Sequence, residues 1–97
     1  MNALRYDYKS ITLTNGASDY DVASENADLF SAVNVAKSVI IDSDKPISVK
    51  FNNPLNPAIY VTARRLPMQT PKDFLDVTNI FLSNASGSNA TVTIWLV

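Results

Sequence analysis

The sequence predicts an all-β fold: an antiparallel β-sandwich or jelly roll of about seven to eight short strands, with at most one short helical turn. Three observations carry this. Apolar and polar residues alternate in short runs, as in "ISVKF" and "TVTIWLV", which is the period of a half-buried strand. Turn-forming residues punctuate the chain at regular spacing, in "TNGA", "DSDKP", "NNPLNP" and "NASGSN". The chain has 97 residues, 46% of them hydrophobic, which suits one domain with one core and not a disordered tail. We read residues 1–97 as a single domain, with 1–10 as an N-terminal arm.

The elements follow in order. "RYDYK" alternates and places Tyr6 and Tyr8 on one face. "ITLT" runs into Asn15-Gly16, a strong turn dipeptide. "DYDVA" alternates again, with Tyr20 and Val22 sharing a face. In "SENADLFSAVNVAKSV", Leu29, Ala32, Val33 and Ala36 match helical spacing. The β-branched run "VNVAKSVIID" favours a strand over Asn34–Asp42 instead. The expectation is one helical turn near Asp28–Ala32 followed by that strand. "ISVKF" turns Ile47, Val49 and Phe51 inward and Ser48 and Lys50 outward. "NNPLNP" is a turn whose two prolines cannot donate to a ladder. "AIYVTA" is the next strand, and "RRLPMQTPKD", with two more prolines, is a loop. Two strands close the domain, over about Leu75–Ser83 and Ala90–Leu96.

We read those last strands as a hairpin. A three-residue loop with Gly87 in the left-handed position pairs Leu82 with Ala90 and Ile80 with Val92. A five-residue loop shifts the register by two and pairs Leu82 with Val92. Both keep the same facing. A four-residue loop mixes polar and apolar residues on each face and is rejected. The core face is then Ile80, Leu82, Val92, Ile94 and Leu96. The opposite face carries Val77, Phe81, Thr91, Thr93, Trp95 and Val97. Either a loop or the N-terminal segment covers it, or another protein surface does, since aromatic residues are enriched at interface cores.

Composition narrows the chemistry. The chain has no histidine and no cysteine. That removes the commonest general base, the commonest transition-metal ligand, thiolate sites and disulfides. The formal net charge is −1 and no basic block stands out, which argues against nucleic acid as a partner. No apolar run is long enough to span a membrane, and "MNALRYDYKS" lacks the apolar stretch of a secretory signal. Asp42 and Asp44 flank Ser43 without the glycine and closing glutamate of a calcium loop, so a solvated turn is the better reading. Asp19 and Asp21 straddle Tyr20 with no legible cleft around them and read as a solvent-facing strand edge. Arg64-Arg65 is the one local basic spot, suited to a surface salt bridge or a protein contact. Asn84 and Asn89 match the N-glycosylation pattern. With only Gly16 and Gly87, no glycine-rich phosphate loop exists. Catalytic, cofactor and metal residues are expected to be none.

"AKSVIIDSDKPISVKFN", "PAIYVTA" and "DFLDVTNIFLSNASGSNATVTIWLV" resemble stretches of small β-sandwich virion proteins of tailed bacteriophages, over roughly Ile11–Val97. The resemblance implies a structural protein of the particle, such as a head decoration or cement protein. It implies a homotrimer or other homo-oligomer that contacts the major capsid protein. The location would be the capsid surface of the virion, after synthesis in the host cytoplasm. The "RRLPMQTPKD" loop is longer than that pattern leads one to expect.

The expectation is therefore a non-enzymatic protein that works by cementing. Phe81 and Trp95 are placed in the contact between subunits, with Val97 beside them. The arm Met1–Lys9, with Tyr6 and Tyr8, and the loop Arg64–Lys72, with Arg65 and Leu66, are placed against the capsid. The alternative is a tail or receptor-binding module that recognises a cell-surface glycan on Tyr6, Tyr8, Tyr20 and Tyr60.

Overall fold

The structure, a computed structural model, describes residues 6–61, 68–69 and 76–97. Among these the strands are β1 (Asp7–Leu13), β2 (Tyr20–Asp21), β3 (Val39–Ser43), β4 (Ile47–Phe51), β5 (Ile59–Val61), β6 (Met68–Gln69), β7 (Ile80–Ser83) and β8 (Ala90–Leu96). One short helix, α1 (Val22–Glu25), follows β2. Two four-stranded antiparallel sheets result, ordered β1-β8-β3-β6 and β2-β7-β4-β5. The all-β sandwich predicted from alternation is the fold observed.

The pairing obeys one rule. β1 pairs with β8, β2 with β7, β3 with β6, and β4 with β5. The chain is thus one long antiparallel ribbon doubled back at the β4–β5 loop. Rolling that ribbon brings β3 against β8 and β4 against β7, which completes the two sheets. This is the strand order of a jelly roll. Between β1 and β8, each step to the next strand crosses from one sheet to the other except β4 to β5.

Alternation fills the space between the sheets. Leu13, Val39, Ile41, Val92, Ile94 and Leu96 come from the first sheet, and Val49, Ile80 and Leu82 from the second, and all are buried. Burying each such side chain contributes about 1.5–3 kcal/mol relative to exposure. The same alternation turns Ser48 and Lys50 outward, as expected.

The final hairpin does not exist. β7 and β8 lie in different sheets, so neither register proposed for them is formed. The five core residues assigned to them are all buried nonetheless. A strand turns the same residues inward whichever sheet it joins, so facing survives an error in pairing. Gly87 does take a positive φ, 91°, but in a corner between sheets. The Asn15-Gly16 turn also crosses between sheets. Only Gly16 is left-handed there, with φ 87°, and Ala17 N donates to Thr14 O at 3.1 Å. A single left-handed residue at the third position gives a type II turn.

Four elements also differ from the expectation. The helical turn lies at Val22–Glu25 and not at Asp28–Ala32, because Asp21 caps it and accepts from Ser24 N at 3.1 Å. β3 begins at Val39 and not at Asn34. Before it, Lys37 N and Ser38 N both donate to Val97 O, which bends the chain around the end of β8, and Ala36 makes only an isolated bridge with Val77. β6 sits inside the segment expected to be all loop. "RYDYK" and "ITLT" merge into one strand, β1, whose last residue is Leu13.

Asparagines fasten the corners. Asn84, buried, donates from Nδ2 to Leu13 O and Ser88 O and accepts at Oδ1 from Ser86 N and Oγ. Asn15 and Asn89 join the same two corners: Asn89 Oδ1 accepts from Asn15 N, and Asn15 Oδ1 from Gly87 N. Asn52, at φ 69°, accepts from Thr78 N and donates to Asp76 O, tying the start of β7 to the end of β4.

Candidate interaction surface

The outer face of the first sheet is built from the odd partners of its buried residues. Tyr8, Trp95 and Ile40 lie directly across from one another on β1, β8 and β3. Ser10, Thr93 and Asp42 form the next row on that face. The Tyr8 and Trp95 rings meet edge to face, with centroids 5.5 Å apart and planes at 63°. Such a pair contributes about 0.5–1.5 kcal/mol beyond its buried area, yet it leaves Tyr8 52% and Trp95 47% exposed. Val97 and Tyr6 continue the apolar surface and are exposed as well. Beside the ring pair lies a shallow depression of about 350 Å³, lined by Tyr8, Ile40, Asp42, Thr93 and Trp95.

The outer face of the second sheet differs. Phe81 lies between Asp21 of β2 and Lys50 of β4 and is half-buried. Lys50 Nζ reaches Asp19 Oδ1 at 3.0 Å. Asp21 accepts from Asn79 Nδ2 and caps α1. A depression of about 220 Å³ lies between Tyr60 and the β7–β8 corner, with Ser48, Ser83 and Ser86 among its lining. Tyr60 itself is exposed on an edge strand.

Phe81 and Trp95 therefore do not share a face. They belong to opposite sheets, and the expectation that they form one contact is corrected by the topology. Trp95, Val97, Tyr8 and Tyr6 do lie together at one surface of the first sheet or its margin. Tyr20 belongs elsewhere: it packs partly against the core, and its hydroxyl accepts from Asn26 Nδ2 at 3.2 Å. Arg64, Arg65, Leu66, Lys72 and Met1–Arg5 lie outside the described residues. Sequence reasoning missed Ile40, partly buried, and Asp42, exposed, as members of the outer face. The doublet Ile40-Ile41 carried the signal, since adjacent residues in a strand point to opposite sides.

The remaining candidates have structural partners. Asp44 extends the β3–β8 ladder by accepting from Thr91 N at 2.8 Å. Asn84 spends its amide on the corner, so its side chain is closed to modification in the folded chain. Among the described residues no group of three or more acidic side chains is placed to hold a metal ion. No described helix is long and apolar enough to cross a membrane.

Edge strands are guarded, which directs attention to the face. β2 and β6 have two residues each and β5 has three, with Pro57 shortly before it. β1 is long, but Asp7 and Lys9 point inward from it. Asp7 is buried and accepts from Ala32 N and Val33 N, and Lys9 pairs with Asp28 at 2.8 Å. Short edges and inward charges are the usual devices against edge-to-edge pairing.

Comparison with known protein-family models and with curated proteins returns no match.

Proposed function

We propose that the chain is a non-enzymatic structural protein of a tailed-phage particle, a decoration or cement protein that binds the capsid and copies of itself. The single observation that supports this is the row Tyr8–Trp95–Ile40, with both aromatic rings exposed and Ile40 partly buried beside them, on a sheet whose inner face already supplies the core. A lone apolar residue on a surface needs no explanation, but a contiguous aromatic patch marks an interaction site. The jelly-roll fold and the sequence resemblance agree with a coat component, though a fold by itself carries no function. The mechanism is cohesion by repetition: a modest apolar contact, repeated around a shell, adds up through multivalency.

The test has two arms. Light scattering behind size exclusion should find an oligomer, and mass spectrometry of purified particles carrying the gene should find the protein bound. A strict monomer that is missing from the particles sinks the reading. A glycan array that returns a specific binder, with no particle association, favours the receptor-binding alternative.

A further inference from the structure

The outer face of the first sheet has an uneven hydrogen-bonding inventory. Among the described residues of the strands on that face, Asp42 is the one charged side chain and none is positive. Asp42 is exposed and takes part in none of the ion pairs among the described residues; those use Asp28, Asp76 and Asp19. It sits in the row beside Trp95, at the diagonal position across β3 and β8, where long side chains remain within reach. The depression thus joins two aromatic rings, one carboxylate with no ion pair among the described residues and one threonine hydroxyl.

That set accepts hydrogen bonds and attracts positive charge. Aromatic faces carry negative potential, and a carboxylate adds a full charge. The lining also holds three donors, the hydroxyls of Tyr8 and Thr93 and the Trp95 N–H, so its unbalanced carboxylate charge, not a lack of donors, sets its preference. A neutral saccharide would use the donors and the carboxylate but leave the negative charge unbalanced. An anion would meet repulsion. A guanidinium donates through five N–H groups, accepts none, and stacks flat on aromatic rings.

We propose that the depression formed by Tyr8, Trp95 and Asp42 receives an arginine side chain from a partner protein. The inference rests on the reading of this face as a protein-binding surface, and it names the chemistry of the contact. The guanidinium stacks on the exposed ring surface while Asp42 accepts from it. The contact supplies orientation and salt sensitivity, and the apolar row around it supplies the area.

The chain's one tryptophan lies in the site, so its indole N–H resonance reports occupancy directly. Acetyl-arginine amide is titrated into the full chain, beside acetyl-citrulline amide, a neutral near-isostere, and methyl glucoside. The expected result is a saturable indole shift with the arginine amide, about tenfold weaker with citrulline and weakened by salt. Asp42→Asn, a substitution at an exposed position, should reduce arginine binding to the citrulline level while circular dichroism stays unchanged. Equal binding of citrulline, a response to the glucoside alone, no response to any probe, or full binding by Asp42→Asn each overturns the proposal. Failure here with the protein still found on particles removes the arginine contact and leaves the proposed function standing. Arginine binding by a protein that never joins a particle does the reverse.

Discussion

On the outer face of β4 and β7, Lys50 meets Asp19, Asp21 holds Asn79, and Phe81 lies half-buried between the two strands that carry them. On the outer face of β1, β8 and β3, the aromatic pair stands in solvent and Asp42 has no described partner. Both sheets contribute fully buried side chains to the one core. The difference teaches that an aromatic residue facing outward is not by itself a binding signal. What its neighbours do with their charges decides whether the surface is finished.

The largest test addresses what the two faces have in common. Ile94→Ala opens a cavity in the shared core and should lower stability by about 2–5 kcal/mol in urea unfolding. A loss well below that range would mean that the two sheets do not pack on one core, and the comparison of their outer faces would lose its basis. Next is Asn84→Ala, which removes the amide joining the β1–β2 and β7–β8 corners and leaves Leu13 O and Ser88 O short of a donor. It should cost about 1–3 kcal/mol by the same measurement.

The direct contrast is Trp95→Ser against Phe81→Ser. Trp95→Ser should weaken association roughly tenfold or more while lowering monomer stability by about 1 kcal/mol or less. Phe81→Ser should leave association unchanged. If sedimentation finds the two equal, the faces are not distinct. Lys50→Met probes the finished face: its partly exposed pair with Asp19 should be worth about 0–1 kcal/mol, and less in high salt.

The smallest effect is a pH dependence belonging to neither face. The hydrogen bond from the Lys9 ammonium, aided by backbone N–H groups, holds the Asp28 carboxyl below its ordinary value. The unfolded chain therefore binds the proton more readily in acid. The pair's contribution is present above the ordinary carboxylate range and fades as pH falls through the lowered value of the folded state. Wild type and Asp28→Asn should differ slightly at neutral pH and converge in acid, read as unfolding midpoints.

The sandwich was legible because alternation and turn residues are local signals. "ISVKF" and "ATVTIWL" could be bounded to the residue from their period alone. Sheet membership was not legible. Parity says which side chains are inside and is silent about which strand lies alongside. An Asn-Ala-Ser-Gly-Ser-Asn corner and a hairpin loop call on the same residue types. α1 escaped because four residues give no period, although Asp21 ahead of "VASE" was a readable N-cap. The outer face of the first sheet was half legible: its pattern gives Trp95, Tyr8, Tyr6 and Val97, but parity alone also puts Phe81 there, which lies on the other sheet, and reads Asp42 only as a turn.

The doubled ribbon has a consequence for the order of synthesis. β8 is the inner strand that separates β1 from β3, with Asp7 opposite Leu96 and Val39 opposite that same leucine on its other side. Chain emerges at about 5–20 residues per second, so β1 and β3 wait for several seconds with no strand between them. Their apolar sides stay open until β8 is free of the ribosome, and the first sheet closes only afterwards. The aromatic row spans those same three strands. That row is therefore assembled only once β8 has been made, and a chain cut short before β8 cannot present it.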